Sequence, residues 1–353
     1  MNKITRSLCV LSLALVACGL AHAQPAQTGP YAVTQILPVK NAGVAKYWDY
    51  LRLDEENNVL YASLGSHMAV IDPATGKMVA DIGPMTRNHG VALVPSVGRG
   101  FVSDGDAGEV VIFDLHSHAI LGKVKVEEDA DGIQYDPATN KVWVVSGDGA
   151  SITAIAADVD PSTGKADAPV ALAGKPEFFV MDNEGKAFIN LTDKNEVVVV
   201  DTKAAKVLAR WPVAPGGANT AMAIDRENHH LVLGCRKPEM MVIMDSTNGA
   251  VLSQVPIGVG CDAVAYDDGY AFAACRDGTL TVAHEASPGK FEVVQTVPTK
   301  TWAGTLAVDS KTHTVYLPTA EFEKPLTSFA RLDKKIAVKP DTFMIVVVTR
   351  TGK

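Results

Sequence analysis

Several things are scarce in this chain of 353 residues, and each scarcity removes a class of protein. Five cysteines are present, and Cys9 and Cys18 fall in the first 23 residues, leaving Cys235, Cys261 and Cys275. Three is too few for a disulfide-stapled fold and allows at most one intrachain bridge with one thiol left over. There is no C-x-x-C-H haem site, no clustered Cys/His zinc pattern, no G-x-S-x-G nucleophile elbow and no glycine-rich nucleotide motif. Past residue 23 no run approaches the roughly 18 apolar residues of a membrane helix. Positive charge is also lacking: the net charge of −8 speaks against a general binder of nucleic acid or anionic membrane. Helical periodicity is missing outside the first 23 residues.

Apolar residues make up 47% of the chain, which excludes disorder. The first segment reads as an export signal. "MNKITR" is a basic start, "SLCVLSLALVACGLA" an apolar core, and "AHA" a small-x-small cleavage site before Gln24. That predicts a periplasmic or secreted protein of residues 24–353. "LVAC" (Leu15 to Cys18) also fits a lipobox, in which case Cys18 is lipidated and the protein is anchored to the envelope.

The remaining residues repeat themselves. A β-like run closed by Asp and a turn recurs at Asp72, Asp114, Asp158, Asp201 and Asp245, with a degraded copy from Thr281. A second such marker recurs at Asp54, Asp136, Asp182, Asp225, Asp267 and Asp309, with Pro95 in the Asp place between the first two. The step is about 43 residues, and the second marker counts seven copies. Each unit holds four short strands separated by Asp, Pro, Gly, Asn and Lys turns, which predicts an all-β, seven-bladed β-propeller with four antiparallel strands per blade.

The ends point to ring closure. The last unit has two strands, an insertion at about 320–342, then "FMIVVVTR", and lacks a fourth strand. "YAVTQILPV" (Tyr31 to Val39) has fourth-strand texture and no unit of its own, so it is expected to complete the last blade and remove an open edge.

"YLRLDEENNVLYASLGSHMAVIDPATGKMV", "VVVVDTKAAKVLARWPV" and "DGTLTV" resemble the secreted YVTN-repeat, YncE-like propellers over nearly the whole chain past the leader. The resemblance implies the fold and an exported protein. It assigns no chemistry, because fold does not give function.

The repeat register also predicts where a site sits. Five residues before each first-strand marker stand Asp49, Gly90, Asp131, Glu177, Thr220, Asp262 and Gly304. These positions surround one mouth of the central channel, and four of the seven are carboxylates. Trp48, His89 and Asn219 lie one residue earlier, and Trp302 nearby. An acidic funnel can hold a hard divalent cation such as Ca²⁺. Such carboxylates can equally cap orphan backbone N–H groups at loop-to-strand junctions. The senescence-marker/gluconolactonase propellers, more distantly similar, place Glu, Asn and Asp around one metal, and Glu177, Asn219 and Asp262 are similar in type. That resemblance implies metal-assisted hydrolysis of lactonase kind.

His89 is the candidate proton-transfer residue. Arg236 and Arg276, on adjacent blades, can bind an anionic ligand or pair with neighbouring carboxylates. "DGDAGE" lacks the spacing of a calcium loop and reads as a plain turn. His229, His230 and His313 fall in turns at the opposite face and read as exposed. Cys261 and Cys275 should face each other across a hairpin, so Cys261–Cys275 or Cys235–Cys261 can bridge. The leading functional expectation is a monomeric binding or scaffold module taking a small molecule or protein at the funnel face, with nucleic acid disfavoured. A metal-dependent lactonase-like hydrolase and an accessory propeller of a periplasmic redox system are the alternatives.

Overall fold

In a computed structural model of the chain, residues 29–43, 47–326, 329 and 337–352 are described. The leader with its Cys18 lipobox, and Arg331, Lys334 and Lys335 of the insertion, lie outside them. The strands form seven four-stranded antiparallel sheets, and the chain is a seven-bladed β-propeller. Each blade's first strand contacts the first strand of the next, and Ala307–Asp309 of the seventh blade meets Leu51–Asp54 of the first, so the ring is closed. Helix among the described residues is confined to a 3-10 turn, Pro95–Val97.

The hairpins form for local reasons. Asp54, Asp136, Asp182, Asp225 and Asp309 each accept the backbone N–H two residues on, which pins the turn between first and second strands. Four residues after Asp54, Asp136, Asp225 and Asp309 the chain takes a left-handed conformation at Asn58, Asn140, His229 and His313, residue types that tolerate it. Asp72, Asp114, Asp201 and Asp245 cap the outer hairpin in the same way. The third blade departs from the expected spacing. There Asp160, not Asp158, accepts the turn N–H groups of Ser162 and Thr163, and the outer strand shrinks to Val170–Ala171.

Inner strands are covered on both faces by neighbouring blades. Met68–Ile71 and Thr314–Thr319 are buried at every residue, whereas the outer strand Lys206–Pro212 alternates between exposed and half-buried positions. Burial of both faces of a strand removes the need for a polar side and gives near-continuous apolar runs.

The N-terminal strand Tyr31–Pro38 pairs antiparallel with Met344–Arg350, from Tyr31 opposite Arg350 to Pro38 opposite Met344. It is the outermost strand of the seventh blade. The sixth blade holds it from the side: Gln295 accepts from the Tyr31 N–H at 3.0 Å and donates to the Tyr31 carbonyl at 2.7 Å. The Tyr31 ring also meets Phe272 edge-on at 5.1 Å.

Candidate functional site

In blades two to six the first strand carries an extra residue at the funnel end, visible as register shifts at Asn88/Val91, Ala130/Ile133, Pro176/Phe179, Asn219/Ala221 and Cys261/Ala263. A bulge re-aims the side chain it carries, and the bulged segments hold His89, Asp131, Glu177, Thr220 and Asp262. The pairing corrects the register of the second blade. Asn88 opposite Asp104 corresponds to Ala130 opposite Ser146, so Val94, rather than Pro95, occupies the Asp place. His89, not Gly90, is therefore the funnel residue of that blade.

Two charged clusters form at the mouth. In the first, His89 Nδ1 lies 2.6 Å from Asp49 Oδ2 and 3.5 Å from Asp131 Oδ1. The Tyr47 hydroxyl donates to the same Asp49 oxygen at 2.6 Å. His89 is 1% exposed. Burial by itself would lower its pKa, but the charges of Asp131 and Asp49 and the hydrogen bond to Asp49 prevail and raise it to about 9. The imidazolium is thus the resident cation of this cluster at neutral pH. Asp131 is pushed up by burial and by Glu177 and Asp49, against the pull of His89, and its Oδ1 is buried without a hydrogen-bond partner. His89 Nε2 likewise has none. It faces Gly105 of "DGDAGE", where a Cβ would come within 2.9 Å. Arg87 borders the cluster, 3.1 Å from Asp129 and 3.5 Å from Asp106.

In the second cluster Asp262 is clamped. Arg276 Nε donates to Asp262 Oδ2 at 2.8 Å, and the terminal nitrogens of Arg236 and Arg276 each reach one Asp262 oxygen. Burial would raise the Asp262 pKa, yet the two guanidinium groups hold it below the usual carboxylate range. Of the alternatives for Arg236 and Arg276, the structure shows pairing with a carboxylate. Arg276 also stacks over Trp302, 4.7 Å from the ring centroid. Trp302 is 4% exposed, so it supports Arg276 from below and does not line the funnel.

Glu177, between the clusters, has no hydrogen bond or ion pair among the described residues, and burial raises its pKa. Glu177, Asn219 and Asp262 do not converge as one ligand set. Asn219 is fully buried, and its Nδ2 donates to Asn190 Oδ1 at 2.7 Å and the Glu196 carbonyl at 3.0 Å. Asp262 has both oxygens engaged by arginine. The carboxylate–imidazole group that does converge is Asp49, His89 and Asp131, whose ligand atoms lie within 4.8 Å of one another.

Backbone capping falls elsewhere. None of Asp49, Asp131, Glu177 and Asp262 accepts a backbone N–H among the described residues. That work is done by the loops joining second and third strands. Asp104 takes Thr86 and Arg87, Asp193 takes Lys175, Asn195 takes Ala218 and Asp277 takes Val259. "DGDAGE" is a turn of this kind, built on Asp104.

Cys261 and Cys275 sit opposite each other in the hairpin, as the spacing predicts. All three cysteines of this region are buried free thiols, so neither bridge is present. Cys261 Sγ turns to the Ala263 carbonyl at 3.6 Å and Cys275 Sγ to that of Ala273 at 3.8 Å, contacts that leave the sulfurs unjoined. Burial pushes the Cys235 thiol up to about 12, which makes it a poor nucleophile.

Three aromatic residues escaped the sequence reading. Tyr50 and Phe178 each follow a funnel carboxylate, come from opposite sides of the ring, and meet with centroids 4.9 Å apart. They form the floor of the mouth above a channel of about 550 Å³ lined by first-strand residues both apolar and polar. Tyr47 braces Asp49. Counting one residue after and two before the funnel positions would have found all three. Arg52 and Arg226 line the far end of the channel, where burial lowers both guanidinium pKa values.

No family model matches the chain, and no curated protein matches it. Solved structures do. A chain of Kuenenia stuttgartiensis hydrazine synthase is 12% identical with a TM-score of 0.64, over 79% of this chain and 94% of that one. The Myceliophteria thermophila Cps50 (Swd1) β-propeller domain is 10% identical with a TM-score of 0.63, over 76% and 92%. At these identities the likeness is one of fold.

Proposed function

We propose that this propeller is a binding module whose funnel face recognises a cationic, ammonium-type group on a small molecule or on a protein side chain. The observation that carries it is the contrast among the four mouth carboxylates. Asp262 has both oxygens engaged by arginine, and Asp49 Oδ2 takes both the Tyr47 hydroxyl and the His89 imidazole. Asp131 Oδ1 has no hydrogen-bond partner, with only the His89 imidazolium 3.5 Å away. Glu177 has no hydrogen bond or ion pair among the described residues, the Arg236 and Arg276 guanidinium groups acting on it only through space. A buried carboxyl without donors is costly unless a ligand supplies them. The floor beneath is the Tyr50–Phe178 ring pair, and a cation over an aromatic face gains about 0.5–2 kcal/mol. An ammonium seated there donates to Asp131 and Glu177 while its carbon stem lies on the rings. The Arg236–Asp262–Arg276 clamp closes the other side of the mouth and repels a second cation.

The test is a thermal-shift and calorimetric titration of the purified protein with cadaverine and butylamine, with acetate as control. Saturable binding of the amines, weakened at least tenfold in Glu177→Gln and Asp131→Asn, supports the reading. No amine binding, or binding unchanged in both variants, overturns it. The convergence of Asp49, His89 and Asp131 favours a second reading, metal-assisted hydrolysis. There an ion displaces the imidazole proton, so uptake rises with pH. A calcium or zinc arm of the same titration separates the two. Export, by cleavage before Gln24 or lipidation at Cys18, belongs to this proposal, and the mass of the mature N-terminus decides it.

A further inference from the structure

On the face away from the funnel, at the seam between the fifth and sixth blades, three ligand-type side chains converge where the sequence predicts exposed turns. His230 opens the second strand of the fifth blade, opposite Asp225 at the end of the first. It is 6% exposed, which corrects the expectation of a surface histidine. His313 is partly exposed, with Nδ1 2.7 Å from Asp267, while His229 stays exposed. His230 Nδ1 points between two carboxylates on different blades, 3.9 Å from Asp225 Oδ2 and 3.6 Å from Glu285 Oε1. Its side chain is 8% exposed, and Nδ1 has no hydrogen-bond partner. The three ligand atoms lie within 4.8 Å of one another.

From this geometry we infer that Asp225, His230 and Glu285 form a binding site for a borderline divalent cation of the zinc class that clasps the fifth blade to the sixth. One imidazole nitrogen and two carboxylate oxygens are a ligand set suited to such an ion, with the fourth tetrahedral position left to water. Ligands about 2.0–2.1 Å from a tetrahedral ion stand about 3.4 Å apart. The two spacings from His230 Nδ1 therefore need to contract by about 0.5 and about 0.2 Å, and the two carboxylate oxygens, within 4.8 Å of each other, by up to about 1.4 Å. The carboxylates are already held by a surrounding layer of donors. Asp225 Oδ2 accepts from Asn228 Nδ2 at 2.7 Å, Asp225 also bonds the Tyr266 side chain, and Glu285 Oε1 accepts the Gly289 N–H at 2.6 Å. Partners of this kind orient ligands and keep a site's shape without the ion. The Phe291 ring stands edge-on to His230 at 6.3 Å and walls off one side. This site is independent of the funnel proposal, lying at the other end of the fifth blade's first two strands.

The test uses the full chain carrying His89→Gln, which removes the Asp49–His89–Asp131 cluster as a competing ion site. After dialysis against chelator and reloading with one equivalent of zinc, elemental analysis should find one ion per chain. A hundredfold excess of zinc over its dissociation constant should raise Tm by about 5 °C. Adding His230→Gln or Glu285→Gln should abolish both effects. Glu285→Gln keeps an acceptor for Gly289, so it separates loss of the ion from loss of the fold, which circular dichroism monitors. Cobalt should give a tetrahedral visible spectrum that the same substitutions remove. Failure of the His89→Gln chain to retain zinc overturns the inference, as does retention unchanged by His230→Gln and Glu285→Gln. In either case His230 is simply a buried histidine packed between two carboxylates.

Discussion

His89 Nδ1 and Asp49 Oδ2 stand 2.6 Å apart in a pocket from which solvent is almost excluded, with Asp131 Oδ1 3.5 Å from the same nitrogen. The three groups come from three successive blades, so their charge balance ties the first, second and third blades together at the mouth.

This relationship sets a pH dependence. His89 titrates near 6.5 in the unfolded chain and at about 9 in the folded one. The folded state holds the proton more tightly, so the stabilisation is complete below about pH 6.5 and fades as pH rises through about 9. A shift of that size corresponds to about 3 kcal/mol. Tm should therefore fall between pH 7 and 9.5, and the fall should be much shallower in His89→Gln. An equal slope in the two proteins would show that another group controls the alkaline limb.

Asp262 and Glu177 occupy equivalent positions and should respond oppositely to neutralisation. Asp262→Asn leaves the Arg236 and Arg276 guanidinium groups facing each other without their counter-ion, at a cost of about 2–4 kcal/mol in urea denaturation at pH 7. Glu177→Gln removes a carboxylate whose charged form burial disfavours, so it should be neutral or slightly stabilising. Because the folded Asp262 pKa is depressed, the clamp's contribution is present above about pH 4 and is lost as pH falls below that. Equal effects of the two substitutions would contradict the assignment of Asp262 as the clamped residue.

The closing strand depends on a latch from the neighbouring blade. Gln295→Ala removes both hydrogen bonds to the Tyr31 backbone and leaves a buried N–H and carbonyl without partners, costing about 2 kcal/mol. Limited proteolysis should then cut the chain between residues 31 and 40 faster than in the wild type. If protection there is unchanged, the pairing of Tyr31–Pro38 with Met344–Arg350 suffices without the latch.

The fold was legible because its determinants are close in sequence. Asp54, Asp136 and Asp225 each cap a turn two residues on, and an apolar run on either side makes the hairpin. Where an insertion moved the cap from Asp158 to Asp160, the period still held but the residue assignment slipped by two. The site was legible only in part. The carboxylates at Asp49, Asp131, Glu177 and Asp262 followed from the register. Pro95 misled it by one place in the second blade, because a 3-10 turn follows Val94 there. Asn219 was read as a mouth residue, although Thr220 takes the bulged position there, itself buried with its hydroxyl on the Cys261 carbonyl, and Asn219 lies among buried amides. His230 was read as exposed because its turn is polar, while the covering Glu285 lies 55 residues further along the chain.

The sequence by itself determined a ring of seven four-stranded blades and the strand that closes it. Turn chemistry and strand pairing act over a few residues and repeat with the chain, and an unpaired last blade needs a partner. Only the tertiary structure decided which mouth carboxylates are engaged by donors of the chain and how fully. That depends on guanidinium, imidazole and aromatic groups brought from other blades, often 40 or more residues away, and on bulges that re-aim each side chain by a single position. Electrostatic partners are chosen by distance in space, and the local pattern carries no record of it.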